Sequence, residues 1–223
     1  MSRAVVHFKS AETMPEIPDK LVRLFIGGSV FFEGDATWDP YEALYQKVYN
    51  TEAHRVLADD GVFVVVQTNS YKNGKFMCKY AHLFNMLSTK WDLVDERVWV
   101  RRAADHFQVP FSHVLIFKKK GAAAPTRKQL NEKSKEWFQG VWQYPQRTYK
   151  GMSQLNSWPD AMAGMILTAC TEPGDVVVDA FAGGGSFLAY AAKLGRVGFG
   201  YEIDPECVPL LRSNGVSVRG FGD

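Results

Sequence analysis

Gly174-Asp175-Val176-Val177-Val178-Asp179-Ala180-Phe181-Ala182-Gly183-Gly184-Gly185-Ser186-Phe187 is the stretch on which the fold turns. A run of valines with no alternation suits a strand covered on both faces. The strand stops at Asp179 and enters a glycine turn, where bare backbone can approach a ligand closely. A helix opens near Ser186 and runs through Leu188-Ala189-Tyr190-Ala191-Ala192-Lys193-Leu194. Gly195 to Asp204 then supplies a second short strand, ending in Glu202, 19 positions after Gly183. An acid at that strand tip is placed to accept hydrogen bonds from ribose hydroxyls. Three cofactor classes compete for such a unit. A dinucleotide fold wants G-x-G-x-x-G, and Leu188 stands where the third glycine belongs. A P-loop wants Gly-Lys-Ser/Thr, which is missing. S-adenosylmethionine needs no pyrophosphate cradle, and Asp179 lies where an acid would meet its cationic amine. An ordinary strand–helix–strand corner, with glycines only for packing, is the bland reading.

Asp179-Ala180-Phe181-Ala182-Gly183-Gly184-Gly185-Ser186 resembles the D-P-F-x-G-S-G-T motif of DNA amino-methyltransferases, the N4-cytosine and N6-adenine enzymes. Trp158-Pro159-Asp160, leading to Pro173-Gly174-Asp175, is similar to that family's F-P-E … P-P-G-D approach, and Gly200-Tyr201-Glu202-Ile203-Asp204 to its G-x-E-I-D. A cofactor half near the C-terminus matches the permuted, β-class order. The resemblance implies a Rossmann-like α/β methyltransferase fold in which Trp158, Asp179, Phe181, Gly183, Gly185, Ser186 and Glu202 line an S-adenosylmethionine site. It also implies a catalytic S/D-P-P-Y motif in the N-terminal half. Ser29-Val30-Phe31-Phe32 occupies that slot, after the strand Leu21–Ile26 and ahead of Trp38-Asp39. Both prolines are absent, while a serine and a terminal aromatic remain.

The bulk numbers bound the answer without choosing it. With 223 residues, 46% hydrophobic and 22% charged, the chain has ordinary globular composition and suits one domain with a full α/β core. No apolar run reaches membrane-spanning length. The N-terminal apolar stretch is too short for a signal peptide. Cys78, Cys170 and Cys207 lie far apart, so neither a disulfide framework nor a zinc site is indicated, and a reducing cytoplasm is expected. The five histidines show no metal-ligand spacing. A net charge of +2 is too small to argue for nucleic acid by itself.

Read in order, Ala4–Phe8 is a short strand. Asp39 as N-cap and Pro40 at the first position open a helix that runs to Val56-Leu57 and ends at Asp59-Asp60-Gly61. Val62–Val66 is a central strand, and Gln67–Gly74 a polar loop at its C-terminal end, where open α/β sheets carry ligands. A helix follows over Lys79–Leu87. Leu93–Val100 and His113–Phe117 are expected as an antiparallel edge pair. Lys118 to Lys128 reads as a basic mobile loop, followed by the aromatics Trp137, Phe138 and Trp142. Read blandly, this is a solvated loop and a packing cluster. The family resemblance places target recognition between these landmarks, and so implies that Arg101, Arg102, Lys118, Lys119, Lys120, Arg127 and Lys128 contact nucleic acid. The tail forms a helix with Asp204 as N-cap. Its final strand, Val216 onward, competes with Ala4–Phe8 for one sheet position, which suggests neighbouring termini.

The expectation is one Rossmann-like, mostly parallel sheet with one antiparallel strand, in permuted order. Residues 1–120 form a catalytic half, 121–150 a small recognition segment, and 151–223 the cofactor half. The expected function is S-adenosylmethionine-dependent methylation of an exocyclic amine in double- or single-stranded DNA, with weak sequence preference. No metal is expected, and a homodimer is compatible. The rivals are a relative that binds cofactor or DNA without turnover, and a methyltransferase acting on RNA or a small molecule. The C5-cytosine class is disfavoured, because no Pro-Cys follows a strand tip.

Overall fold

Runs of valine, isoleucine and phenylalanine become the strands of a nine-stranded sheet, the surface on which such side chains pack best. The computed structural model describes residues 3–28, 30, 37–72, 74–101, 109–123, 125–145, 147–149 and 152–221. Its strands in chain order are β1 (Ala4–Phe8), β2 (Val22–Gly27), β3 (Leu57–Gln67), β4 (Ser70–Lys72), β5 (Lys75–Met77), β6 (Trp91–Val100) and β7 (Phe111–Lys119). After them come β8 (Val141–Gln143), β9 (Arg147–Tyr149), β10 (Met152–Ser157), β11 (Val176–Asp179), β12 (Val197–Glu202) and β13 (Ser217–Arg219). The main sheet runs β13-β1-β12-β11-β2-β3-β7-β6-β8. Every neighbouring pair is parallel except those of β7, which is antiparallel to both β3 and β6. The expected sheet with one reversed strand is therefore the one found.

Helices cover both faces. The first helix, α1, spans 39–56: Asp39–Tyr45 is α-helical, Gln46–Ala53 is a π-helix, and His54–Val56 returns to α. The others are α2 (Lys79–Leu87), α3 (Arg127–Lys133), α4 (Asp160–Cys170), α5 (Ser186–Lys193) and α6 (Val208–Ser213). Strand residues divide by the two-residue period of a strand. Leu24, Ile26, Val64 and Val177 pack with α4, α5 and α6 on one face. Phe25, Phe63, Val65 and Val178 pack with α1 and α2 on the other. Both faces are buried, so the central strands read as unbroken apolar runs.

Several local expectations change. Trp38, not Asp39, is the N-cap of α1, and Asp39 sits inside its first turn. Asp59-Asp60-Gly61 does not end the unit but lies within β3, where the register against β2 slips between Val22 and Leu24. The polar loop after β3 contains the β4–β5 hairpin. The β6–β7 pair is not at the edge, because β8 adds outside β6. Nor is Lys118–Lys128 a single loop: Lys118 and Lys119 end β7, while Arg127 and Lys128 open α3 under a Thr126–Gln129 capping box. The two segments expected to compete both enter the sheet, β1 between β12 and β13. Since β1 and β13 are parallel neighbours, the start of β1 and the end of β13 lie at opposite ends of adjacent strands.

Candidate active site at three strand tips

From β2 the chain proceeds outward to β3, and from β11 it proceeds the other way to β12. The crevice between β11 and β2 is thus the switch point at which open α/β sheets bind ligands. Asp179 is the last residue of β11 and pairs with Ile26 on one side and Gly200 on the other. The Ala180 amide continues the ladder to the Ile26 carbonyl at 3.1 Å. The end of β11, which leads into the expected cofactor turn, and the end of β2, which precedes the expected catalytic slot, are therefore neighbours.

Glu202 at the tip of β12 organises the glycine turn. Its Oε2 accepts the Gly183 amide at 2.7 Å, and its Oε1 accepts the amides of Ile203 and Asp204 at 2.8 Å each. Gly185, N-cap of α5, has φ 72°, and a Cβ there would lie 2.6 Å from Leu211 Cδ2. Only glycine meets both conditions without strain. Ser186 follows, buried in the first turn of α5. Asp179 is buried, with Oδ1 accepting the Phe181 amide at 3.2 Å. Burial, reinforced by the Glu202 charge and opposed by the Phe181 hydrogen bond, pushes its pKa up to about 7. Such a carboxyl gains strongly from a cationic ligand.

Asp179, Phe181, Gly183, Gly185, Ser186 and Glu202 are gathered at this turn. Trp158 reaches it from the opposite face, through ring contacts with Trp99 at 6.5 Å and Phe187 at 5.6 Å. Of the slot expected to be catalytic, Val30 is half-buried, and its amide donates to the Tyr45 hydroxyl at 3.3 Å. Ser29, Phe31, Phe32 and the basic residue Arg102 lie outside the described residues.

A family model described as DNA methylase matches residues 16–213. The chain belongs to the DNA methylase family. The type II β methyltransferase M.BslI of Bacillus sp. (strain NEB-606) is 20% identical over 78% of the chain and 23% of its own length. The type II methyltransferase M.BglI of Bacillus subtilis is 26% identical over 55% of the chain and 38% of its own length. The chain thus spans well under half of either curated relative. Among solved structures, TTHA0409 of Thermus thermophilus superposes with TM-score 0.77 at 19% identity, covering 96% of this chain and 99% of that one. Its complex with S-adenosyl-L-methionine gives 0.75. The cytosine-N4-specific PvuII DNA methyltransferase gives 0.80 at 15% identity, over 95% and 86% of the two chains. At these identities, the likeness shows a shared fold.

The direction of each strand sorts the chain's basic residues. Arg101 follows β6 at the end of the sheet that carries the site, and its guanidinium donates to the Val109 carbonyl at 3.1 Å. Because β7 is reversed, Lys118, Lys119 and Lys120 fall at the opposite end. Lys118 donates to the Ala122 carbonyl at 2.8 Å, Lys120 to the Ser88 carbonyl at 3.2 Å, and buried Lys119 faces Asp59 at 3.5 Å. Arg127 lies 3.5 Å from Asp95, and Lys128 3.9 Å from Glu132. Trp137 and Trp142 are core residues.

Residues around the site that the motifs do not mark include Tyr45 and Tyr49, both buried against Phe181. Lys79 is another: it is buried and donates to the Tyr41 hydroxyl at 3.0 Å. For the two tyrosines the only signal in the sequence is the 3.6-residue spacing of aromatics along α1, which also describes an ordinary packing face.

Proposed function

We propose that this DNA methylase transfers the methyl group of S-adenosylmethionine to an exocyclic amino nitrogen of a DNA base, N4 of cytosine or N6 of adenine. The observation carrying this reading is Asp179: a buried carboxyl with raised pKa at the switch point, beside a glycine turn pinned by Glu202. That donor set fits a ligand with an ammonium at one end and a ribose at the other. Asp179 would face the ammonium, and Glu202 would offer its remaining lone pairs to the ribose hydroxyls. Ile203, 68% exposed beside Glu202, offers an apolar plate for the adenine. The bound cofactor would supply an electrophilic methyl group on a sulfonium.

An exocyclic amine conjugates its lone pair into the ring and is a poor nucleophile. Acceptors at the Ser29–Val30 slot would take its hydrogens and aim the lone pair at the methyl carbon. The base nitrogen forms the N–C bond as the C–S bond breaks, and one amino proton passes to solvent. No covalent enzyme adduct is required; orientation and fixed dipoles carry the rate. An aromatic of the slot would stack on a base taken out of the helix.

The DNA would approach the strand-tip end. There the β4–β5 hairpin exposes Tyr71 (61%) and Phe76 (50%), with ring centroids 5.0 Å apart, and Arg101 lies at the tip of β6. Much of the 121–150 segment is occupied in β8 and the tryptophan core, leaving little of that segment to read base edges. Weak sequence preference follows, with contacts mainly to phosphates. The test is incubation with labelled cofactor and single- and double-stranded DNAs and RNA, followed by nucleoside mass spectrometry. N4-methylcytosine or N6-methyladenine in DNA is expected. Cofactor binding with no transfer to any nucleic acid would replace this reading with that of a binding protein.

A further inference from the structure

Two tyrosine hydroxyls grip the slot on either side of position 29. The Tyr49 hydroxyl donates to the Gly28 carbonyl at 3.1 Å, and the Val30 amide donates to the Tyr45 hydroxyl at 3.3 Å. We propose that Tyr45 and Tyr49 are positioning residues that fix the Gly28 carbonyl and the Val30 amide at the methylase's catalytic slot, in the role that prolines play in an S-P-P-Y motif. The inference rests on the reading of this slot as catalytic.

Proline fixes a backbone through its own ring. Here Val30 stands where a proline would, and it keeps an amide that must find a partner. The Tyr45 hydroxyl is that partner. The two tyrosines stack on each other with centroids 4.8 Å apart at 20°, and both are fully buried. Tyr45 ends the α-helical part of α1 and Tyr49 lies in its π-helical part. A π segment inside a helix re-aims side chains and is frequent at functional sites.

The strand end is shaped to receive them. A Cβ at Gly27 would lie 2.5 Å from the Tyr49 hydroxyl oxygen and 2.7 Å from its ring. The last residue of β2 is thus bare where the Tyr49 ring lies. The pair also reaches the cofactor side, with Phe181 6.3 Å from Tyr45 and 6.1 Å from Tyr49. Trp38, on the far side of the slot in sequence, is 5.9 Å from Tyr45. One aromatic stack therefore touches the chain before the slot, within it and after it, and the glycine turn as well. Burial raises the pKa of both phenols, so each keeps its proton. The Tyr49 hydroxyl remains a donor at any working pH.

A merely structural pair would support the core without setting the slot, and phenylalanine separates the two roles because it keeps the ring. Tyr45→Phe, Tyr49→Phe and the double variant are compared with wild type. Thermal melting checks the fold, and calorimetry checks cofactor affinity. Amide exchange of Val30, read by NMR, needs no activity. In Tyr45→Phe the Val30 amide should exchange about five- to tenfold faster, the scale of one lost hydrogen bond, with cofactor affinity unchanged. Single-turnover methyl transfer should fall about fivefold or more in each variant, with KM for DNA little changed. Adding Val30→Pro to Tyr45→Phe should restore most of the rate, because proline removes the orphaned donor and fixes the backbone. Unchanged Val30 exchange in Tyr45→Phe overturns the proposal whether or not the protein methylates DNA. A wild type without transfer, with Val30 exchange still dependent on Tyr45, retires the proposed function and leaves the grip on the backbone in place.

Discussion

Cofactor binding should release a proton, and Asp179 should be its source. A rise from the ordinary 3.8 to about 7 means that the ionised carboxylate is disfavoured in the free protein. At 1.36 kcal/mol per unit, the penalty is about 4 kcal/mol. Its first cause is burial; Glu202 adds repulsion and the Phe181 amide subtracts from it. Tyr49 is the other titratable neighbour, and its own phenol is pushed up partly by Asp179. Because the folded pKa is raised, the favourable contribution of protonated Asp179 to folding is complete below pH 3.8 and is lost as pH rises through about 7. A cationic amine reverses the preference, since it pairs only with the ionised form.

Between pH 5.5 and 7 an α-amine stays charged, whereas Asp179 goes from roughly 3% to 50% ionised. Cofactor affinity should therefore rise about fifteenfold across that interval. Near pH 5.5 almost one proton should be released per molecule bound, falling to about half a proton at pH 7. Titration calorimetry in buffers of different ionisation enthalpy measures both quantities. Asp179→Asn should bind more weakly at pH 7 and lose most of the pH dependence. Constant affinity in the wild type would refute the reasoning, as would an equal slope in the asparagine variant.

Glu202→Ala should weaken cofactor binding by roughly ten- to hundredfold by calorimetry, the scale of a charged hydrogen-bond partner. It should also lower the melting temperature, because the Gly183, Ile203 and Asp204 amides lose their acceptor. Gly185→Ala should cost about 1–3 kcal/mol in denaturant unfolding, through a left-handed backbone and the Leu211 contact. Arg97→Ala should cost about 3–5 kcal/mol by the same measurement, since Asp95 would be left buried without the guanidinium 2.5 Å away. DNA affinity by anisotropy should fall steeply from low to moderate salt. It should drop with Tyr71→Ala or Arg101→Ala and stay within twofold with Lys120→Ala; the opposite ranking would put the DNA on the wrong end of the sheet.

The fold of the Val176–Glu202 unit was legible because its structure is local. Strand, glycine turn, helix and acid follow one another from Val176 to Glu202, and the 19-residue spacing from Gly183 to Glu202 closes as a 2.7 Å hydrogen bond. The sheet was legible too, because its central strands are buried on both faces and read as continuous apolar runs. The failures share another cause: the deciding partner is distant in sequence or invisible in composition. A π-helical segment leaves no compositional mark, so nothing in Gln46–Ala53 announces that Tyr49 will point at the Gly28 carbonyl. Tyr71 and Phe76 look like ordinary loop aromatics until β4 and β5 pair and bring their rings together on an exposed hairpin.

The lysines show the same limit from the other side. Charge and proximity to aromatics drew attention to Lys118, Lys119 and Lys120, but their position follows from a single fact of topology, the reversal of β7. A strand running with its neighbours would have delivered those lysines to the ligand end. Running against them, it delivers Ser112 and His113 there instead, and sends the lysines to Asp59 and the Ser88 carbonyl. Arg101 lies at the strand-tip end because β6 points the other way from β7. For a basic residue in an α/β sheet, strand direction therefore weighs more than local charge density in deciding whether it can meet a substrate.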